Sequence, residues 1–443
     1  MKIYLESLGC AKNLVDSELM LGAFTARGMR VCHDPETAEA IVVNTCGFIE
    51  PAVTEAIDTI LELARYKETG LCRRLIVCGC LPQRYGEAIA ESLPEVDAFF
   101  GTGAYDRVGD ALTTGTVNGR CILPSPESMA LQCHTDQRLP GILGNPHTVY
   151  MKIAEGCDRR CTYCIIPRLR GRQRSRRQAD IVEEAIWLAA GGAAELVLAA
   201  QETTAYGRDL CPPVAFSDLL AAIAAAVPRT RVRVLYMHPA SIDLRLIRVM
   251  AERENICNYF DVPVQHVSNR LLRKMGRRHT SDDLYRLFDD IRDAIPDAAL
   301  RTTVMTGFPG EREADIQDLL AFVRRIEFDH LGAFVYSDAD DLTSHRLDGH
   351  VPAEVAGQRY DAVMAEQSLI AGKRNARHVG REYEVLIEDK EEDGLYSGRT
   401  WFQAPEVDGV TFVTGSNALH PGDRVPVRIN GAMEYDLNGG VVA

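Results

Sequence analysis

Three short apolar runs in this chain each end at a cysteine. Lys2–Ser7 leads into Gly9-Cys10, Ala40–Asn44 into Thr45-Cys46, and Leu75–Cys78 into Gly79-Cys80. Segments of helical period separate them. One begins at Leu14 and closes at Gly28; in the other, Val53, Ala56, Ile57, Ile60, Leu61 and Ala64 share one helix face that Gly70 stops. Strict alternation of strand and helix predicts a parallel sheet with right-handed crossovers. Parallel order puts every C-terminal strand end on one edge. Cys10, Cys46 and Cys80, more than 30 residues apart in sequence, therefore meet where open α/β sheets bind ligands.

The rest of the chain divides by texture. Thr113 to His147, with Pro124, Pro126, Pro140 and Pro146, reads as a linker. Six strand-helix units follow, with strands beginning near Val149, Glu195, Arg231, Tyr259, Leu300 and His330 and helices such as Ile181–Ala190 and Ile316–Ile326. Six units fall short of a closed eight-stranded barrel and predict a partial one. From about Asn375, the β-rich runs 383–387, 409–413 and 424–429, broken by Gly and Asp, predict a small antiparallel β-barrel. The expected division is 1–125, a linker at 126–146, a partial (βα)6 barrel at 147–374 and a β-barrel at 375–443.

The 13 cysteines are an odd number, and Met1–Glu6 carries a carboxylate where an export signal needs apolar residues. No apolar run approaches the ~18 residues of a membrane span. A reducing cytoplasmic setting is expected, with metal or cluster ligation favoured over a disulfide framework. The strongest local pattern is Gly156-Cys157-Asp158-Arg159-Arg160-Cys161-Thr162-Tyr163-Cys164, a C-x3-C-x2-C loop directly after the first barrel strand. Three thiolates so close in sequence suit one face of a [4Fe-4S] cube whose fourth iron stays open to a small molecule. Zinc is the rival reading, but it favours four ligands in paired halves, and no fourth cysteine or histidine adjoins this loop. Cys32, Cys72, Cys78, Cys121, Cys133, Cys211 and Cys257 form no ligand spacing and read as small apolar fillers.

The loop resembles the signature of radical S-adenosylmethionine enzymes. The resemblance implies that the open iron chelates S-adenosylmethionine, whose one-electron cleavage yields a 5′-deoxyadenosyl radical. It also implies that Tyr163 packs near the adenine and that Gly307 and Gly310, in the turn after the fifth barrel strand, approach the cofactor. Together with Cys10, Cys46 and Cys80 and the terminal β-barrel, the chain resembles the methylthiotransferase family from end to end. That family carries a second [4Fe-4S] cluster on the N-terminal cysteines. Ser7–Glu18, Asn44–Ile49, Cys80–Tyr85, Lys152–Cys157, Gln201–Gly207 and Ala404–Gly409 resemble its ribosomal-protein branch, which modifies an aspartate of small-subunit ribosomal protein twelve. The implied metal ligands are Cys10, Cys46, Cys80, Cys157, Cys161 and Cys164, with an electron donor such as flavodoxin or ferredoxin as partner. No catalytic side chain beyond these ligands is identified. Ala11 stands where the branch usually has proline, and Tyr336–Thr343 departs from its Glu- and Gly-containing stretch. Cys80 rather than its neighbour Cys78 is the expected ligand.

Charge bears on the substrate. The chain is acidic, at −14 overall, and residues 376–443 carry six basic against twelve acidic side chains, a net of −6. Nucleic-acid affinity is dominated by phosphate neutralisation, so such a domain repels RNA and suits a basic protein. Eight arginines between Arg159 and Arg177 are the exception, readable either as a solvated surface or as an anion-binding stretch. His238 and His266, at strand ends, could line the site or be structural. The rival functions are the same chemistry on a tRNA adenosine and a non-catalytic Fe–S carrier or scaffold.

Overall fold

The architecture is given by a computed structural model, which describes residues 1–114, 119–129, 131, 138–415 and 419–442. Cys133 and part of the expected linker lie outside the described residues.

The N-terminal unit is a parallel sheet of six strands in which Lys2–Ser7 lies beside Ala40–Thr45 and Ala40–Thr45 beside Arg74–Gly79. Ala40–Thr45 is buried along its whole length, as a central parallel strand covered on both faces must be. Beyond the three expected strands, Arg30–Val31, Ala98–Phe100 and Cys121–Ile122 extend the sheet. Helix Glu50–Ala64 buries Ala56, Ile60 and Ala64 of the expected stripe, but Leu63 is buried where Leu61 was expected and Leu61 is exposed; a short turn of helix, Tyr66–Thr69, ends at Gly70.

Two three-stranded parallel sheets form the six-stranded partial barrel. One holds Thr148–Lys152, Glu195–Ala199 and Arg231–Val234; the other holds Tyr259–Asp261, Ala299–Thr306 and His330–Val335. The helices around them run at Gln178–Ala190, Phe216–Ala226, Leu244–Glu252, Ser281–Ala294 and Glu313–Ile326. Thr280 opens Ser281–Ala294 with a capping box closed by Asp283.

Helix Ala353–Ala376 leads into a closed barrel of Glu382–Glu392, Leu395–Arg399, Thr411–Thr414, Arg424–Ala432 and Leu437–Val441. Its pairings are antiparallel except that Thr411–Thr414 and Leu437–Val441 run parallel, a correction to the wholly antiparallel expectation. Closure removes the sheet edges that so small a domain would otherwise expose.

Buried ion pairs lock these units together. Asp16 on helix Ala11–Ala26 accepts from Lys152 and from Arg170, the latter at 2.8 Å, and Lys152 also donates to Glu155 at 2.7 Å. Arg138 donates to Glu18 at 2.7 Å and to Glu184 at 2.9 Å. Beneath the barrel, Glu195 takes Arg233 at 2.6 Å and approaches Arg399 of the terminal domain at 3.4 Å. Breaking one partner of such a pair leaves an uncompensated buried charge, at a cost of about 3–5 kcal/mol.

Candidate active site

Cys46 and Cys80 sit one residue past a parallel strand and Cys10 three, on the common edge that parallel order dictates. Cys10 occupies the N-cap of helix Ala11–Ala26. Gly9 has φ +92°, and a Cβ there would stand 2.8 Å from the Cβ of Cys46; Gly79 has φ +103°, and its Cβ would meet the Asn44 side chain at 2.6 Å. Only glycine supplies both the left-handed turn and the close approach. Amides and hydroxyls then tie the turns. Asn13 Nδ2 donates to the carbonyls of Leu8 at 3.0 Å and Thr45 at 3.1 Å, and Thr45 Oγ1 donates to the carbonyl of Cys78 at 2.7 Å.

The barrel supplies the second trio. Its loop leaves Ala154–Glu155, which pairs antiparallel with Arg174–Ser175. The Cys157 N–H donates to the Gly171 carbonyl at 3.1 Å, and the Thr162 N–H to the Met275 carbonyl at 3.1 Å. So held, Cys157, Cys161 and Cys164 line a cavity of about 360 Å3 whose wall also includes Cys10, Cys46 and Cys80. All six thiols thus face one space from two domains. Among the described residues no three His, Cys, Asp or Glu side chains close around a single-ion position.

Around the thiols the wall is cationic. Lys12 lies 3.4 Å from the centre of the Tyr236 ring, and Arg170 donates to Asn13 Oδ1 and, at 3.3 Å, to the Tyr105 hydroxyl. Burial alone would raise the Cys10 thiol, but the Lys12 and Arg170 charges and the N–H groups of Asn13 and Lys12 hold it below the usual range. Burial wins at Cys46, Cys80, Cys157 and Cys164. It pushes Cys80 up to about 11 and Cys157 and Cys164 to about 12. Such thiols stay protonated at neutral pH unless a metal takes the proton's place.

Tyr236 and Gln265 line the cavity with φ of +60° and +67°, strained backbone of the kind that concentrates at functional sites. The Gln201 and Gln265 carboxamide oxygens are buried without a hydrogen-bond partner among the described residues, so the wall presents open acceptors. At its edge Arg159 is bidentate to Glu202 at 2.6 and 2.7 Å. Burial, reinforced by Arg277 and Arg159, keeps His238 neutral.

Three regions match known families: residues 2–101 the Uncharacterized protein family UPF0004, 151–323 the Radical SAM superfamily and 379–442 the TRAM domain. The chain is 63% identical over 440 residues to the ribosomal protein uS12 methylthiotransferase RimO of Desulfosudis oleivorans, covering 99% of each chain. It is 45% identical over 443 residues to the protein of the same name from Clostridioides difficile, covering 100% of this chain and 99% of that one. The chain belongs to the ribosomal protein uS12 methylthiotransferase family. Among solved structures, the radical S-adenosylmethionine methyltransferase TsrM of Kitasatospora setae superposes with a TM-score of 0.61 over 83% of this chain and 89% of that one, at 14% identity. At that identity the likeness is one of fold.

Within this member of the family, Cys78 points away from the cavity into the sheet's core, 3.9 Å from the sulfur of Met20, while Cys80 lines the cavity. Tyr163 is on the wall, its hydroxyl accepting from Arg277 Nη2 at 3.0 Å. Gly307 and Gly310 are not on it. A Cβ on Gly307 would meet Ala356 at 2.4 Å and one on Gly310 would meet Lys274 at 2.4 Å, so both serve close packing. His266 lies in the core, accepting from the N–H groups of Val267 and Ser268. The stretch Tyr336–Thr343 contributes Asp341, which takes Arg84 of the N-terminal domain at 2.6 and 2.9 Å.

The arginines of 159–177 divide: Arg160, Arg168, Arg172 and Arg177 are exposed, Arg159 and Arg174 half-buried. Arg170 and Arg176 are buried in ion pairs, Arg174 donates to carbonyls of the 126–129 turn and Arg177 pairs with Asp180. Sequence reasoning did not pick out Lys12, Asn13, Gln201, Tyr236, Gln265 or Arg277 as wall residues. Lys12 and Asn13 lie inside the Ser7–Glu18 stretch and Gln201 opens the Gln201–Gly207 stretch, and family likeness there was the available signal.

Proposed function

We propose that the chain methylthiolates the β-carbon of an aspartate in ribosomal protein uS12, using S-adenosylmethionine and two [4Fe-4S] clusters. One observation carries this reading: two cysteine trios, one from each domain, face a single cavity in a chain with close relatives named for that activity. The donor set fits. Three thiols from the barrel loop suit a cluster with one open iron, and three from the sheet edge suit a second cluster across the cavity. Bound there, the clusters and S-adenosylmethionine supply an electron, a sulfur, a methyl group and a carbon radical able to take an unactivated hydrogen.

The chain's own residues hold and shield. Cys157, Cys161 and Cys164 would hold one cluster and Cys10, Cys46 and Cys80 the other, with Lys12 and Arg170 offsetting thiolate charge. Gln201 and Gln265 offer acceptors for the amino and hydroxyl hydrogens of the cofactor, and Tyr163, fixed by Arg277, offers a ring face. Phe48, Ile166, Met237 and Pro263 make the rest of the wall apolar, which excludes water from a reactive radical. The working units are 1–125, 147–374 and 375–443, joined by 126–146. A flavodoxin or ferredoxin in the cytoplasm supplies the electron.

The test is anaerobic incubation of reconstituted, reduced protein with S-adenosylmethionine and either uS12 or tRNA. A mass gain of one CH2S unit on the uS12 aspartate, with 5′-deoxyadenosine released, is expected. Methylthioadenosine in tRNA with unmodified uS12 would overturn the assignment.

A further inference from the structure

A second and larger cavity, about 1190 Å3, adjoins the cysteine-lined one; Arg159, Cys161, Glu202, His238 and Arg277 line both. Its character is different. Seven arginines line it against three carboxylates, Asp158, Glu202 and Asp209. Glu202 and Ser241 occupy Arg159, while Tyr163 and the Pro263 carbonyl occupy Arg277. Arg160, Arg208, Arg273 and Arg278 are exposed and form no ion pair among the described residues. In the wall His279 is only 7% exposed, yet among the described residues neither ring nitrogen has a hydrogen-bond partner, and the Gln173 amide nitrogen is in the same state. Unsatisfied donors beside unpaired cations, on a chain of net charge −14, describe a place built to receive an anionic partner.

We propose that this cavity docks an acidic one-electron donor protein, an inference that rests on the reading of the preceding section. Three observations select that occupant. Cys161 stands in the wall, so the cavity leads to a ligand of the proposed cluster. A basic ribosomal protein as a whole is repelled by the same arginines, which disfavours this opening as its approach. The cavity is wide and rimmed with long exposed side chains, suiting the carboxylates of a protein surface more than a small metabolite. The step moves one electron from the donor to the cluster held by Cys157, Cys161 and Cys164. The donor is oxidised by one electron, the cluster is reduced by one, and no bond forms or breaks.

The probe is an FMN-containing flavodoxin, titrated anaerobically into the holoenzyme and followed by its flavin fluorescence. Charge reversal at Arg160→Glu, Arg273→Glu and Arg278→Glu should weaken binding about tenfold or more at low salt, and salt should weaken the parent complex in the same way. 5′-Deoxyadenosine release driven by flavodoxin should fall in parallel, while release driven by dithionite stays at the parent rate. Arg208→Glu alone should give a smaller loss of the same kind. A triple variant that retains its iron and binds flavodoxin as tightly as the parent overturns the inference. So does an RNA oligonucleotide that binds the parent more tightly than flavodoxin does and is lost on charge reversal, which would give the cavity to phosphate. Absence of dithionite-driven release in the parent would instead refute the proposed function.

Discussion

Lys12, from the first domain, seats its ammonium 3.4 Å from the centre of the Tyr236 ring of the barrel, two residues from Cys10. Burial alone would depress this lysine, but Cys10 and Tyr236 hold it above its usual range, so it stays charged. A desolvated cation on an aromatic face is worth about 2 kcal/mol. Lys12→Met keeps the stem and removes the charge. The variant should retain the iron of the barrel trio and lose much of that on Cys10, Cys46 and Cys80, falling from about eight irons towards about four. Full iron content would show that the ammonium is not needed to hold the second trio's thiolates together.

Cysteine replacement separates the two trios. Replacing Cys157, Cys161 and Cys164 with alanine should leave about four irons and abolish 5′-deoxyadenosine release. Cys80→Ala should spare some release and end methylthio transfer. Cys78→Ala removes a sulfur packed on Met20, away from the cavity, and should leave iron and transfer unchanged. Loss of all iron in the triple variant would refute separate sites.

Arg170 is the central pin between the domains, bound to Asp16, Asn13, Tyr105 and Glu155. Burial would raise the Glu155 carboxyl, but Lys152 and Arg170 outweigh it and bring it to about 2. A carboxyl depressed on folding contributes stability that is fully present above its unfolded value of about 4.3 and is lost as pH falls through the folded one. Acid should therefore release the N-terminal domain progressively below about pH 4. Arg170→Met leaves Asp16 and Glu155 sharing Lys152, should cost about 3–5 kcal/mol, and should move that release to higher pH. Limited proteolysis across a pH series reads it, and identical profiles for the two proteins would refute the role.

These pins mark where the sequence was readable and where it was not. Strand ends at Cys10, Cys46 and Cys80 were legible because hydrophobic period and parallel order are local rules with one geometric outcome. The six barrel strands begin within a residue of their expected positions for the same reason. Helix Ala11–Ala26 was harder, because it buries Lys12, Asn13, Asp16, Ser17 and Glu18 between two domains where local pattern assigns such residues to solvent. Arg138, inside the expected linker, is likewise 3% exposed and holds Glu18 and Glu184. A charge's counterion lies far along the chain, so its burial is decided by tertiary pairing that periodicity does not encode. The same reason explains why eight arginines in one stretch could be counted but not sorted.

The terminal barrel's acidic run divides in the same way, and that division sharpens the last prediction. Glu388 faces inward, accepting from Arg399 Nη2 at 2.7 Å and from Thr148 at 3.0 Å, so it is not free to meet a partner. Asp389, Glu391, Glu392 and Asp393 are exposed around the turn between Glu382–Glu392 and Leu395–Arg399. If a basic uS12 is steered by this hairpin, exchanging those four for lysine should slow association about tenfold or more at low salt while leaving dissociation nearly unchanged. The difference should vanish at 1 M salt, where the screening length drops to ~3 Å from ~10 Å at 0.1 M. Glu388→Lys should act otherwise, leaving buried Arg399 facing a like charge and destabilising the barrel seat by about 3–5 kcal/mol whatever the salt. Stopped-flow binding of uS12 measures the first effect and thermal unfolding the second. Association unchanged by the fourfold exchange would show that the hairpin points away from the substrate.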